Sequence, residues 1–149
     1  MLRDKIGRRS GRVKNRVESG WVQRFAEAIG NAAPVFLDEE AAAATAHGRP
    51  IAPVTFPVTF DYGQIPDLGL PPKGLIHGEQ TFRYRRPLHV GETVYCHMEL
   101  KDYYEKVGKS GTMGFAVLAK RVEDESGELV CEAEQVIIIN EAVRKEMSR

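Results

Sequence analysis

The sequence predicts an α+β fold in which a long antiparallel sheet curls around a helix. Three observations carry this reading. Two short helical patterns come first, everything beyond about Ile76 alternates like β-structure, and turn-forming clusters separate the long alternating runs. At 149 residues the chain has one domain's worth of length, enough to bury a real core.

The first helix follows Ser19 and Gly20. Trp21, Val22, Phe25, Ala26 and Ile29 recur on one face, with Gln23, Arg24 and Glu27 opposite. Ser19 is a candidate cap, and Gly30 suits a left-handed stop. Asp38 is placed to cap a second helix, where Glu39 and Glu40 favour the positive end and Ala41 to Ala44 supply high propensity. Gly48 and Pro50 end it. The apolar, proline-rich stretch from Ile51 to Phe60 allows a short helix from Pro57, since proline is favoured in a first turn. From Asp61 to Gly74 three prolines and three glycines predict a loop lying across another part of the molecule.

The strands follow. Phe82 and Tyr84 share one face against Thr81, Arg83 and Arg85 on the other. Val94, Cys96, Met98 and Leu100 alternate with polar residues, as in a half-buried antiparallel strand. Thr112 to Val122 is apolar on both faces until Lys120 and reads as central; Leu129 to Ile139 is another long strand. Lys106 to Gly111 and Asp124 to Glu128 have the composition of hairpin turns.

Twenty-one basic residues balance twenty-one acidic ones, which argues against a general polyanion binder and does not resist association. The 42% apolar and 28% charged content is that of an ordinary globular protein. No long apolar run predicts a membrane span, and the basic N-terminus lacks the apolar core of a secretory signal. Cys96 and Cys131 are accordingly expected as reduced thiols in a cytoplasmic protein. Residues 1–16 hold seven basic side chains against Asp4 alone, a local charge of +6 that leaves −6 for the rest. Such an arm can meet nucleic acid or an acidic partner. The plainer expectation is a solvated tail, since no aromatic residue stands among the basic ones to stack on bases.

Several segments in order carry a resemblance. They are Val22 to Gly30, Pro34 to Ala41, Ile51 to Phe56, His77 to Phe82, Arg86-Pro87-Leu88, and Val90-Gly91-Glu92. Together they resemble the MaoC-like (R)-specific hydratases and dehydratases, closest to the fatty-acid-synthase-type dehydratase N-terminal domain. The resemblance covers roughly residues 17–140, leaving 1–16 as a basic arm and 141–149 as a tail. It implies a hot-dog fold paired as a dimer, a tunnel for an acyl thioester between two such units, and no cofactor beyond a substrate carried on coenzyme A or acyl carrier protein. It also implies the chemistry of adding water to a trans-2-enoyl thioester or removing it. That chemistry requires a base, an acid, and N–H groups for the thioester oxygen.

In catalytic members a loop of the form Asp-x-Asn-Pro-x-His supplies the acid and base. The matching segment here reads Asn31-Ala32-Ala33-Pro34-Val35-Phe36. The Asp position is Asn31 and the His position is Phe36, and neither an amide nor a phenyl ring shuttles protons near neutral pH. The resemblance therefore implies a non-catalytic half that lines the tunnel, with Phe36, Ala52, Pro53, Phe56, Tyr62, His77 and Gly78 as candidate substrate-binding residues. Its mate would be a catalytic MaoC-like chain, unless it pairs with a copy of itself.

Two other readings stand beside this one. His77 and Glu79, two residues apart in a predicted strand, share a face and make an alternative acid–base pair for a self-sufficient hydratase or thioesterase. A catalytically inactive scaffolding dimer is the other. Arg83, Arg85 and Arg86 form a positive patch suited to coenzyme A phosphates or an acidic carrier protein, or simply to an exposed strand face. His47 is expected to meet a helix C-terminus, and His89 and His97 to be solvated, without metal-ligand spacing.

Overall fold

The computed structural model describes residues 1–149. Its elements run β1 (Val13–Arg16), α1 (Ser19–Ala28), α2 (Pro34–Leu37), α3 (Glu39–Ala43), β2 (Leu75–Tyr84), β3 (Thr93–Gly108), β4 (Gly111–Glu123), β5 (Leu129–Ile139) and α4 (Glu141–Met147). The five strands form one antiparallel sheet in the order β1-β3-β4-β5-β2. This is the curled sheet of a hot-dog fold. β4 is central, as its two apolar faces require.

Local chemistry sets the connections. Gly108 pairs with Gly111 across the β3–β4 turn, and Gly111 is in the left-handed region at φ 104°. In the β4–β5 turn one Asp124 carboxylate oxygen accepts from the backbone N–H groups of Ser126 and Glu128 and from the Ser126 hydroxyl. Asp38 caps α3 by accepting from the Ala41 N–H at 2.9 Å. Ser19 makes no such bond at α1, where Glu18 holds the cap position. Gly30 takes a left-handed φ of 72° just beyond α1.

One face of the sheet is covered and carries two apolar clusters. The first joins Cys96, Val122 and Cys131 of the sheet to Val22 of α1 and to Phe56, Phe60 and Tyr62. Phe56 meets both Phe25 and Phe60 edge-on at 5.5 Å. The second joins Leu100, Leu118, Ile137 and Ile139 to Ile65 and Leu68 of the predicted covering loop, and to Val143 of α4.

Four expectations are corrected. The helix expected from Pro57 is shorter and tighter than an α-helix: Phe56–Thr59 is a 3-10 turn of four residues with Pro57 in its first turn. On α1 only Val22 and Ala26 are buried, and Trp21 stays 56% exposed with Arg24 over its ring. Residues 1–16 are not a solvated arm. Leu2 is buried, β1 pairs with β3, the Ser10 hydroxyl donates to Tyr62 O at 2.6 Å, and Asn15 and Asp61 exchange two hydrogen bonds. Two of its charges meet the negative remainder of the chain, Arg9 on Glu99 and Arg12 on Glu123. The C-terminal segment is likewise folded, as α4, with Asn140 accepting from the Val143 N–H. No helix is long and apolar enough to cross a membrane.

Candidate functional site: a polar pocket on the covered face

Between the two apolar clusters the covered face turns polar. Antiparallel partners share a face, so the register places the residues. Lys120 stands between Met98 and Ala133, Gln135 between Leu118 and Gln80, and His77 opposite Ile137. Tyr62 and the 3-10 turn cross above them. The result is a pocket of about 160 Å³ lined by Pro57, Val58, Tyr62, His77, Gln80, Phe82, Lys120, Ala133 and Gln135.

Its donors are arranged unevenly. The Tyr62 hydroxyl turns away to donate to Pro57 O at 2.7 Å, and burial pushes its pKa far above the ordinary tyrosine value. The Lys120 ammonium lies 5.0 Å from the centre of the Tyr62 ring. Burial holds its pKa below the ordinary lysine value. The Gln80 amide donates to Glu134 O, and the His77 Nε2 sits 3.1 Å from Glu79 O.

Of the sequence candidates, Tyr62 and His77 come together here. The others do not. Phe36, on α2, packs half-buried against the first apolar cluster. Ala52 and Phe56 lie inside that cluster, and Pro53 is buried beside them in sequence. Gly78 explains itself by packing, since a Cβ there would meet the Ile138 side chain at 2.9 Å. Asn31 is exposed just past α1, its backbone N–H donating to Ala26 O.

The His77–Glu79 pairing on one face is also corrected. β2 bulges between them, so His77 pairs with Ile137 and Glu79 with Val136. Adjacent partners face opposite ways, and the Glu79 carboxylate leaves the pocket. Sequence reasoning missed Lys120, Gln80 and Gln135. The one available signal was polar residues interrupting otherwise apolar inward positions.

The arginine patch divides. Arg86 is occupied: it donates to both Glu92 carboxylate oxygens at 2.8 and 2.9 Å and to Pro87 O at 3.0 Å. Arg83 and Arg85 remain exposed and without ion pairs. His89 and His97 are engaged rather than solvated, His89 3.5 Å from Glu92 and His97 3.1 Å from Glu123. Cys96 and Cys131 are free and buried. No group of three His, Cys, Asp or Glu side chains gathers as a metal ion requires.

A family model described as the FAS1-like dehydratase domain region matches residues 4–133. The chain belongs to that family. Among curated relatives it is similar to a UPF0336 protein of Streptomyces griseus, 35% identical over 118 residues that make 75% of this chain and 76% of the relative. A UPF0336 protein of Clavibacter michiganensis is 32% identical over 79% of this chain and 80% of its own length. Among solved structures, the HadBC (3R-hydroxyacyl-ACP dehydratase) complex of Mycobacterium tuberculosis matches with a TM-score of 0.77 and 25% identity, over 93% of this chain and 99% of that one. The (R)-hydratase of A. caviae involved in PHA biosynthesis matches at 0.67 and 27% identity, over 89% and 94%. As a member of this family the chain has the hot-dog fold of MaoC-like hydratases. The family match begins at residue 4, so it takes in most of the segment that composition alone had set apart as an arm.

Proposed function

We propose that the chain is the acyl-thioester-binding, non-catalytic half of an (R)-specific enoyl-thioester hydratase or 3-hydroxyacyl dehydratase, paired with a catalytic hot-dog chain. One observation carries the reading. In a dehydratase family member, the two positions that would hold acid and base are an exposed amide, Asn31, and a packed phenyl ring, Phe36. The bulge at Gly78 separates His77 from the Glu79 carboxylate, and the pocket on the covered face, lined by no Asp or Glu, supports a binding role.

The edge of the sheet supports a partner. β2 ends the strand order, and Ile76 to Glu79 are all exposed. Ile76 and, on the 3-10 turn, Val58 are each 51% exposed. A bare strand edge flanked by apolar side chains invites a second sheet. A mate pairing there would close the pocket, whose wall includes His77 of the same strand. The HadBC match, a complex of dehydratase chains by its description, agrees with this assembly. Arg83 and Arg85, the two free cations of the patch, are on the face of the sheet opposite Phe82, so they would meet an acidic carrier protein docked on that outer face.

Calorimetric titration with saturated acyl-coenzyme A tests the binding role. Affinity should rise with chain length, by about 0.8 kcal/mol per buried methylene at most, until the groove is full. Equal, weak binding of short and long thioesters, with the mate present or absent, would remove it.

A further inference from the structure

We propose that the Lys120 pocket is a carboxylate subsite, so that the acyl thioesters this chain binds include ones whose chain ends in a carboxylate. The inference rests on the acyl-binding reading and names a substrate class for it. Lys120 occupies an inward position of the central strand, where its cross-strand partners are Met98 and Ala133. No acidic side chain pairs with it, and no Asp or Glu lines the pocket. The carboxylates flanking its partner Ala133, Glu132 and Glu134, are on the opposite face, in ion pairs with Arg121 and Lys101, and the bulge in β2 turns Glu79 to that face as well.

Lys120 is half-buried: its ammonium still reaches solvent at the mouth of the pocket, and its one partner within the chain is the face of the Tyr62 ring. The ring leaves the three N–H donors of Lys120 without an oxygen acceptor within the chain. A carboxylate entering the pocket would supply one. Neutral donors stand ready for its second oxygen, since the Gln135 side-chain amide makes no hydrogen bond and lies on the same face. Pro57, Val58 and Phe82 give the methylenes next to the carboxylate an apolar wall. The volume fits the group: a cavity of about 160 Å³ has room for a carboxylate and the carbons next to it.

The test compares glutaryl-coenzyme A with valeryl-coenzyme A, matched in chain length and differing at the end. Titration calorimetry is run on the wild-type chain, Lys120→Met and Lys120→Arg, with free glutarate as a further ligand. Circular dichroism and thermal melting confirm that the variants fold. The wild type should prefer the glutaryl thioester by at least about tenfold, Lys120→Met should lose that preference, and Lys120→Arg should restore part of it. A preference that is absent, or that survives Lys120→Met in a folded variant, overturns the subsite while leaving the acyl-binding role standing. Glutarate binding that depends on Lys120, with no binding of either thioester, supports the subsite and rejects the acyl-binding role. No binding of any ligand, by the chain alone or in complex with its catalytic mate, rejects both.

Discussion

His77 and Glu79 stand on opposite faces of β2, because the strand bulges at Gly78 and the two residues pair with neighbours, Ile137 and Val136. Residues two apart in a regular strand share a face, and one inserted residue reverses that. His77 Nε2 therefore meets the backbone oxygen of Glu79 and not its carboxylate. The chain by itself should give no more hydration of crotonyl-coenzyme A than its His77→Ala and Glu79→Gln variants. Loss of enoyl absorbance measures this, and turnover abolished by either substitution would restore the acid–base pair.

Arg86 and Glu92 lock the turn before β3. Burial alone would raise the Glu92 pKa, but hydrogen bonds from Arg86 and from the His89 N–H bring it below the usual value. A carboxyl depressed in the folded state stabilises above its unfolded pKa, and that contribution is lost as pH falls through the folded value. Glu92→Gln should cost about 1–2 kcal/mol at neutral pH, discounted because Arg86 is one-third exposed, and close to nothing in acid. Melting temperatures across pH report the difference.

Phe56 sits at the centre of the first cluster, edge-on to two other rings and almost wholly buried. Phe56→Ala should destabilise by about 3–5 kcal/mol, and Phe36→Ala by less because Phe36 is only half-buried. Denaturant titration ranks the two. Equal losses would mean that Phe36 carries more of the core than its exposure shows.

Cys131 is buried, and burial pushes its thiol up to about 12; burial raises Cys96 further still. Neither forms thiolate at neutral pH, so both should resist a thiol-specific chromogenic reagent in the native state and react on denaturation. Fast reaction of the folded protein would contradict the packing of the first cluster.

The fold was largely legible because its signals are local. Asp38, Gly30 and the Asp124 turn act through short-range bonds that residue type announces, and alternation along Val94 to Leu100 survives in the structure as a buried stripe. Non-local contacts hid the rest. β1 is too short, at four residues, to show a period, and its basic neighbours pointed to solvent until Ser10 and Asn15 found partners fifty residues away. Pro57 announced the start of a helical turn, but nothing local announced that it would be a 3-10 turn of only four residues. In the site, the sequence showed the missing dyad at Asn31 and Phe36 directly, but not the bulge that turns Glu79 away. Lys120 looked like the end of an apolar run. Only the register, which seats it among Met98, Ala133 and Tyr62, makes it the pocket's cation.

The central claim is that this chain works as half of a catalytic pair, and co-expression with a hot-dog chain from the same organism that carries an intact Asp-x-Asn-Pro-x-His loop tests it most directly. Size-exclusion chromatography with light scattering should show a stable heteromer, weakened by Ile76→Glu on the free edge of β2. The heteromer should hydrate enoyl thioesters in a reaction abolished by changing the mate's Asp or His. A mate that is equally active without this chain, or two chains that elute apart, would contradict it.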